Sequence, residues 1–143
     1  MLIEEAIYTM LTADAGLTAL VAKRIYPVTM PQLEKGKTFY PALVYSLAER
    51  EREQTHQGPT KLVKSHYDFS CIGQNYFALK TVANAVRLAF NGKAAALAAL
   101  YQDEVKAIFL TGETDDYLFD EVEQLSLYHI PMKFTVLHWE ALA

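Results

Sequence analysis

The clearest pattern of apolar and polar positions runs from Val63 to Phe90. Val63, Ser65, Tyr67, Phe69 and Cys71 alternate with Lys64, His66, Asp68 and Ser70, which predicts a strand with one buried and one wet face. After Gly73-Gln74-Asn75 the period changes. Leu79, Val82, Ala83, Val86, Ala89 and Phe90 recur at three and four, the single stripe of an amphipathic helix, and Asn91-Gly92 ends it. A half-buried strand and a one-striped helix satisfy each other face to face, and the rest of the chain is expected to build out from that pair.

Upstream, Ile3, Ile7, Met10 and Leu11, widened by Leu2 and Ala6, predict a first helix ending near Thr12-Ala13. Asp14 caps a second, short helix through Leu17, Leu20 and Val21, and Pro27 opens an extended piece. Residues 28–38, with Pro31, Lys35, Gly36 and Lys37, read as a loop. Phe39–Arg50 is a second strand, apolar enough on both sides to be expected covered on both. Residues 51–61 lack an apolar partner and read as a mobile polar hairpin tip.

Downstream, the alanine-rich stretch from Lys93 predicts a short helix loosely packed on the core. Val105–Thr111 is a third strand, with Val105, Ala107 and Phe109 on one face. Tyr117-Leu118-Phe119 is a short strand or an apolar plug. From Gln124 to Trp139 the chain alternates again, with Ser126, Tyr128, Ile130, Met132, Phe134 and Val136 on one side. Pro131 within that run points to an edge, a bulge or a break. The order is α+β: a mainly antiparallel sheet of about four strands, helices on one face, and a long polar hairpin.

A chain of 143 residues with 52% hydrophobic and 21% charged positions is one expected domain of ordinary globular composition. Its single cysteine excludes an internal disulfide, and Cys71 falls on the inward side of its strand. No apolar run approaches the ~20 residues of a membrane helix. Glu4 and Glu5 stand where a signal peptide wants positive charge, so the expectation is a soluble chain made in the cytoplasm. The net charge of −4 argues against general nucleic-acid binding. It divides unevenly: residues 1–102 hold 11 Lys/Arg and 8 Asp/Glu, and residues 103–143 hold 2 Lys/Arg and 9 Asp/Glu. Such a chain can meet copies of itself head to tail.

Candidate chemistry is thin. His56, His66, His129 and His138 form no zinc-type spacing. Ser65, His66 and Asp68 resemble a triad on paper, but Ser65 and His66 point to opposite faces of a strand; His66 and Asp68 share one and are expected to pair. No phosphate-cradling glycine loop is present. The cluster Glu113, Asp115, Asp116 and Asp120 lacks the glycine and the twelfth-position Glu of a calcium loop. Arg50, Arg52, Lys61 and Lys64 form a basic patch without the aromatic interleaving of a nucleic-acid reader. No catalytic, cofactor-binding or metal residue is assigned.

A larger set of features, taken in order, resembles the tail-completion proteins of long-tailed phages. The set is LTADAGLTALV, then Arg24-Ile25-Tyr26-Pro27, Phe39-Tyr40-Pro41-Ala42-Leu43-Val44-Tyr45, and the Glu49–Gln54 charge run. Gly58-Pro59, Asp68-Phe69-Ser70-Cys71, a helix opening near Tyr76, and Phe134-Thr135-Val136 with His138-Trp139 complete it. The resemblance implies a tail terminator, or tail-to-head joining protein. Such a protein forms a ring, usually a hexamer, that caps the tail tube and docks on a head-completion or neck protein, with DNA passing through the lumen. It also implies a place in the virion tail or neck after assembly in the host cytoplasm, in a phage, a prophage remnant or a gene transfer agent. In such a ring Arg50, Arg52 and Lys61 are expected to be rim contacts to acidic neighbours, Asp115 and Asp116 among them. Two other readings stand beside it: a different neck, baseplate or minor tail protein, such as a head-completion stopper, and a small ligand-binding or regulatory domain with a pocket lined by Tyr45, Tyr67 and Tyr128.

Overall fold

The computed structural model describes residues 2–29, 40–56, 58–120 and 125–140, without the side chains of 53–55, 59, 60, 120 and 125. Beyond Thr29, the loop expected at 28–38 lies outside the described residues.

Two helices open the chain, α1 (Ile3–Ala13) and α2 (Ala15–Val21). The Asp14 side chain accepts the Leu17 N–H at 2.8 Å and caps α2, as its position predicts. A short β1 (Ile25–Pro27) runs parallel to β2 (Ala42–Thr55), which turns back antiparallel into β3 (Gly58–Gly73). Asn75 caps α3 (Tyr76–Phe90) by accepting from Ala78 N–H. Then α4 (Ala94–Tyr101), β4 (Val105–Glu113), β5 (Asp116–Asp120) and β6 (Leu125–Trp139) complete the chain. The six-stranded sheet has the order β1-β2-β3-β6-β4, with β5 also paired to β6.

The class is α+β, mostly antiparallel, with more strands than the four expected. The extra pairs are β1, three residues long, and the Tyr117–Phe119 segment, which lies in β5. One core gathers stripes from all four helices, among them Ile7, Leu17, Leu79 and Leu97. They meet the inward residues of the sheet: Tyr45, Tyr67, Phe69, Cys71, Ile130, Met132, Phe134 and Val136. Phe69, Phe90 and Phe134 sit at its centre with ring centroids 4.9–5.0 Å apart. The alanine-rich α4 is docked rather than loose: Leu97 is fully buried, and Tyr101 donates to the Trp139 carbonyl.

Four further expectations change. The polar run 51–61 is not a loop; β2 and β3 pair to Thr55↔Gly58. Its alternating Glu and Arg are themselves a period-two pattern, which sends the two charge types to opposite faces. Among the described residues, helices cover one face of β2, and Val44 on the other face is only half-buried. In β4 a bulge at Lys106 inverts the faces, so Ile108 enters the core and Phe109 is 41% exposed. Pro131 neither ends nor breaks β6. Its carbonyl accepts Thr114 N–H, so its nitrogen faces the step between β4 and β5, where the ladder is already interrupted.

Candidate subunit interface

A second bulge shapes the charged end of the sheet. Leu47 pairs with Tyr67, but Glu49 pairs with His66, so Ala48 is the extra residue. Strict alternation would send Glu49 inward. The bulge sends Arg50 inward instead, opposite Ser65. There Arg50 Nε donates to Ser65 Oγ at 2.8 Å, and Nη2 donates to Glu4 Oε1 at 2.7 Å and to Tyr67 Oη at 2.9 Å. Glu140 lies 3.7 Å from its Nη1. Burial works against the Arg50 charge, but Tyr67 and Glu4 more than offset it and raise its pKa above the usual guanidinium value. Burial also raises Tyr67, with the Glu4 carboxylate adding to it. Arg50 is therefore held largely inside the subunit, tying α1 to the β2–β3 hairpin, with 15% of its side chain exposed.

The same cluster holds a serine–histidine pair that the sequence order hid. Ser65 Oγ lies 2.7 Å from His138 Nε2, across 73 residues of chain. His138 Nδ1 faces the Trp139 carbonyl at 3.0 Å, so Nδ1 carries the proton and Nε2 accepts from Ser65. This is the tautomer of a catalytic base. Both residues are fully buried, however, and Ser65 Oγ also accepts from Arg50, so no substrate reaches the oxygen. Burial lowers the His138 pKa.

On the opposite face, the bulge brings Glu49 and Glu51 beside His66, with ligand atoms within 4.8 Å of one another. The trio supplies three donors of the type that hold a divalent cation, one fewer than a closed tetrahedral site. Its geometry also has an internal cause: His66 Nε2 lies 3.0 Å from Glu51 Oε2, and that contact lowers the Glu51 pKa. His66 Nδ1 meets Thr135 Oγ1, so the histidine pairs with Glu51 and Thr135 rather than with Asp68. Sequence spacing missed the trio because one partner lies on the facing strand.

The other expected contact residues lie at two opposite ends of the sheet. Arg52 is 53% exposed and bonds Glu140 at 2.8 and 3.1 Å, which lowers the Glu140 pKa. Lys61 Nζ rests 5.7 Å from the Trp139 ring centroid. At the far end, Asp115 accepts from Tyr76 Oη at 2.7 Å and pairs with Lys80 Nζ at 2.8 Å; Lys80, then Tyr76, holds its pKa below the usual carboxylate range. Asp116 accepts the Tyr117 N–H. Tyr117, Leu118 and Phe119 on β5 are about half exposed, and Phe77, in ring contact with Tyr76, is 80% exposed. The expected tyrosine pocket does not form: Tyr45 and Tyr67 are core residues, whereas Tyr128 stacks with Tyr76 and Tyr117. An open groove of about 550 Å³ between α1 and β1 is lined by Glu4, Tyr8, Lys23, Tyr26 and, of the three expected tyrosines, Tyr45 alone. Among the described residues, no helix is long and apolar enough to cross a membrane.

No protein-family model and no curated protein matches this chain. Among solved structures, the fold is similar to a chain of the virion of a native gene transfer agent particle. The TM-score is 0.67 and the identity 19%, over 96% of this chain and 94% of that one. The two chains share a fold across nearly their whole lengths.

Proposed function

We propose that this chain is a structural subunit of a phage-like particle, and within it the tail terminator. In this reading it forms a ring of six copies that closes the tail tube and joins it to the neck or head-completion protein. DNA passes through the lumen without being read. The chain sits in the tail or neck of the particle and is assembled in the host cytoplasm. The observation that carries the reading is the shared fold, end to end, with a chain of a gene transfer agent virion. The surface supports it: polar charged groups lie at one end of the sheet, and acidic and aromatic groups lie at the other. A closed ring needs such unlike surfaces, because each contact joins one side of a subunit to the other side of its neighbour. Arg52 and Lys61 of one copy facing Asp115 and Asp116 of the next are the proposed polar rim, now without Arg50. On this reading no side chain acts on a substrate, in keeping with the enclosure of Ser65 and His138.

Electron microscopy of particles made without this protein tests the proposal. Tails of irregular length, unjoined to heads, are expected. Tails of normal length that merely fail to join heads would point to a head-completion stopper instead. Fully normal particles would refute both. The purified protein is also expected at about six times its 16.1 kDa mass.

A further inference from the structure

We propose that the corner formed by Tyr76, Tyr117, Tyr128, Asp115 and Asp116 is a cation-accepting cage, and that its occupant is Lys61 of the neighbouring copy. The inference rests on the ring reading above. The five residues line an open cleft of about 300 Å³. Tyr128 is the hinge of the aromatic wall, with ring centroids 5.7 Å from Tyr76 and 5.3 Å from Tyr117. Aromatic faces carry negative potential, and with carboxylates beside them they select ammonium and guanidinium groups.

One cation already meets the cleft. Lys80 reaches its edge from α3, with Nζ 2.8 Å from Asp115 Oδ1 and 5.7 Å from the Tyr76 ring centroid. One ammonium against two carboxylates leaves a surplus negative charge. Asp116, whose side chain meets the Tyr117 N–H, faces the part of the cleft nearest Tyr117. Phe77, in ring contact with Tyr76, and Phe119, two residues along β5 from Tyr117, are both exposed, apolar surface of the kind that anchors protein contacts.

Charge and distance choose the occupant. Lys61 rests on a single aromatic ring, that of Trp139; with Lys80 already on Tyr76 and Asp115, moving to the cage exchanges one ring for two, Tyr117 and Tyr128, and adds the Asp116 carboxylate. It does so from the opposite end of the sheet. Leu62 pairs with Trp139 at one end of β6, and Gly73 pairs with Tyr128 at the other. Eleven residues of strand separate the two ends, about 36 Å at the rise of a β-strand. A lysine side chain cannot span that, so Lys61 reaches only another subunit's cage. The contact is head to tail, as a closing ring requires.

The test uses the full chain, with mass and sedimentation as readouts and circular dichroism to check folding. Asp116→Lys and Tyr117→Ala are each expected to weaken self-association about tenfold or more while the monomer stays folded. Lys61→Glu is expected to weaken it likewise, and combining Lys61→Glu with Asp116→Lys to restore it. If the wild type forms rings and both cage variants associate equally well, the cage is overturned and the ring reading survives. If the cage variants fail but the charge exchange does not rescue, Lys61 is not the occupant. A wild type that stays monomeric at every concentration overturns the ring and the cage together.

Discussion

Replacing Arg50 by Ala removes the donor that links α1 to the hairpin, and its cost follows from what is left behind. Arg50 makes three hydrogen bonds of 2.7–2.9 Å. Hydrogen bonds to charged groups contribute about 1.5–3 kcal/mol each, but two of these share one nitrogen and do not add. The partners also keep company. Ser65 retains His138, Tyr67 retains Glu4 at 3.3 Å, and Glu4, at 36% side-chain exposure, rehydrates. The loss is therefore below the 3–5 kcal/mol typical of a broken, fully buried ion pair, at about 2–3 kcal/mol. For a chain of this size that lowers the melting temperature by roughly 5–10 °C. Urea unfolding followed by circular dichroism measures it, with Arg52→Ala as the exposed control, expected to cost at most ~1 kcal/mol. A loss under ~0.5 kcal/mol for Arg50→Ala, or equal losses for the two variants, would show that Arg50 is not an interior strut.

Other outcomes are expected alongside it. Because burial lowers the His138 pKa, the unfolded chain takes up this proton near pH ~6.5 and the folded chain only at lower pH. Stability should thus fall as pH drops below ~6.5 toward the folded value. His138→Asn should flatten that slope, and an unchanged slope counts against a buried neutral imidazole. Leu118→Ser with Phe119→Ser should leave the unfolding free energy within ~1 kcal/mol, since both side chains are about half exposed, yet reduce self-association. A large stability loss would place them in the core instead. Cys71 is fully buried, and burial pushes its thiol up to about 12, so a thiol-specific reagent should label it only after unfolding. Rapid labelling of the folded chain would contradict the inward face of β3.

Much of the scaffold was legible in the residues alone. The stripe from Leu79 to Phe90 became the buried face of α3, and Val63 to Cys71 became the inward face of β3. Asp14 and the C-terminal alternation were legible for the same reason: a helix face and a strand face are properties of consecutive residues. The candidate site was less so. Strict alternation misplaces Arg50 and Phe109 because each follows a bulge, at Ala48 and Lys106, whose extra residue exists only relative to a facing strand. The polar run 51–61 reads as a loop because its period-two pattern is one of charges, with no apolar face to mark a strand.

The sequence by itself thus determined the class, most of the elements and the apolar faces, since local periodicity dictates which side chains must leave water. Only the tertiary structure decided which charges turned inward and which distant residues met: Ser65 with His138, His66 with Glu49 and Glu51, and Tyr76 with Tyr128 and Asp115. Strand register is a relation between segments far apart in the chain. One inserted residue reverses every face beyond it, and no window of neighbouring residues records that reversal.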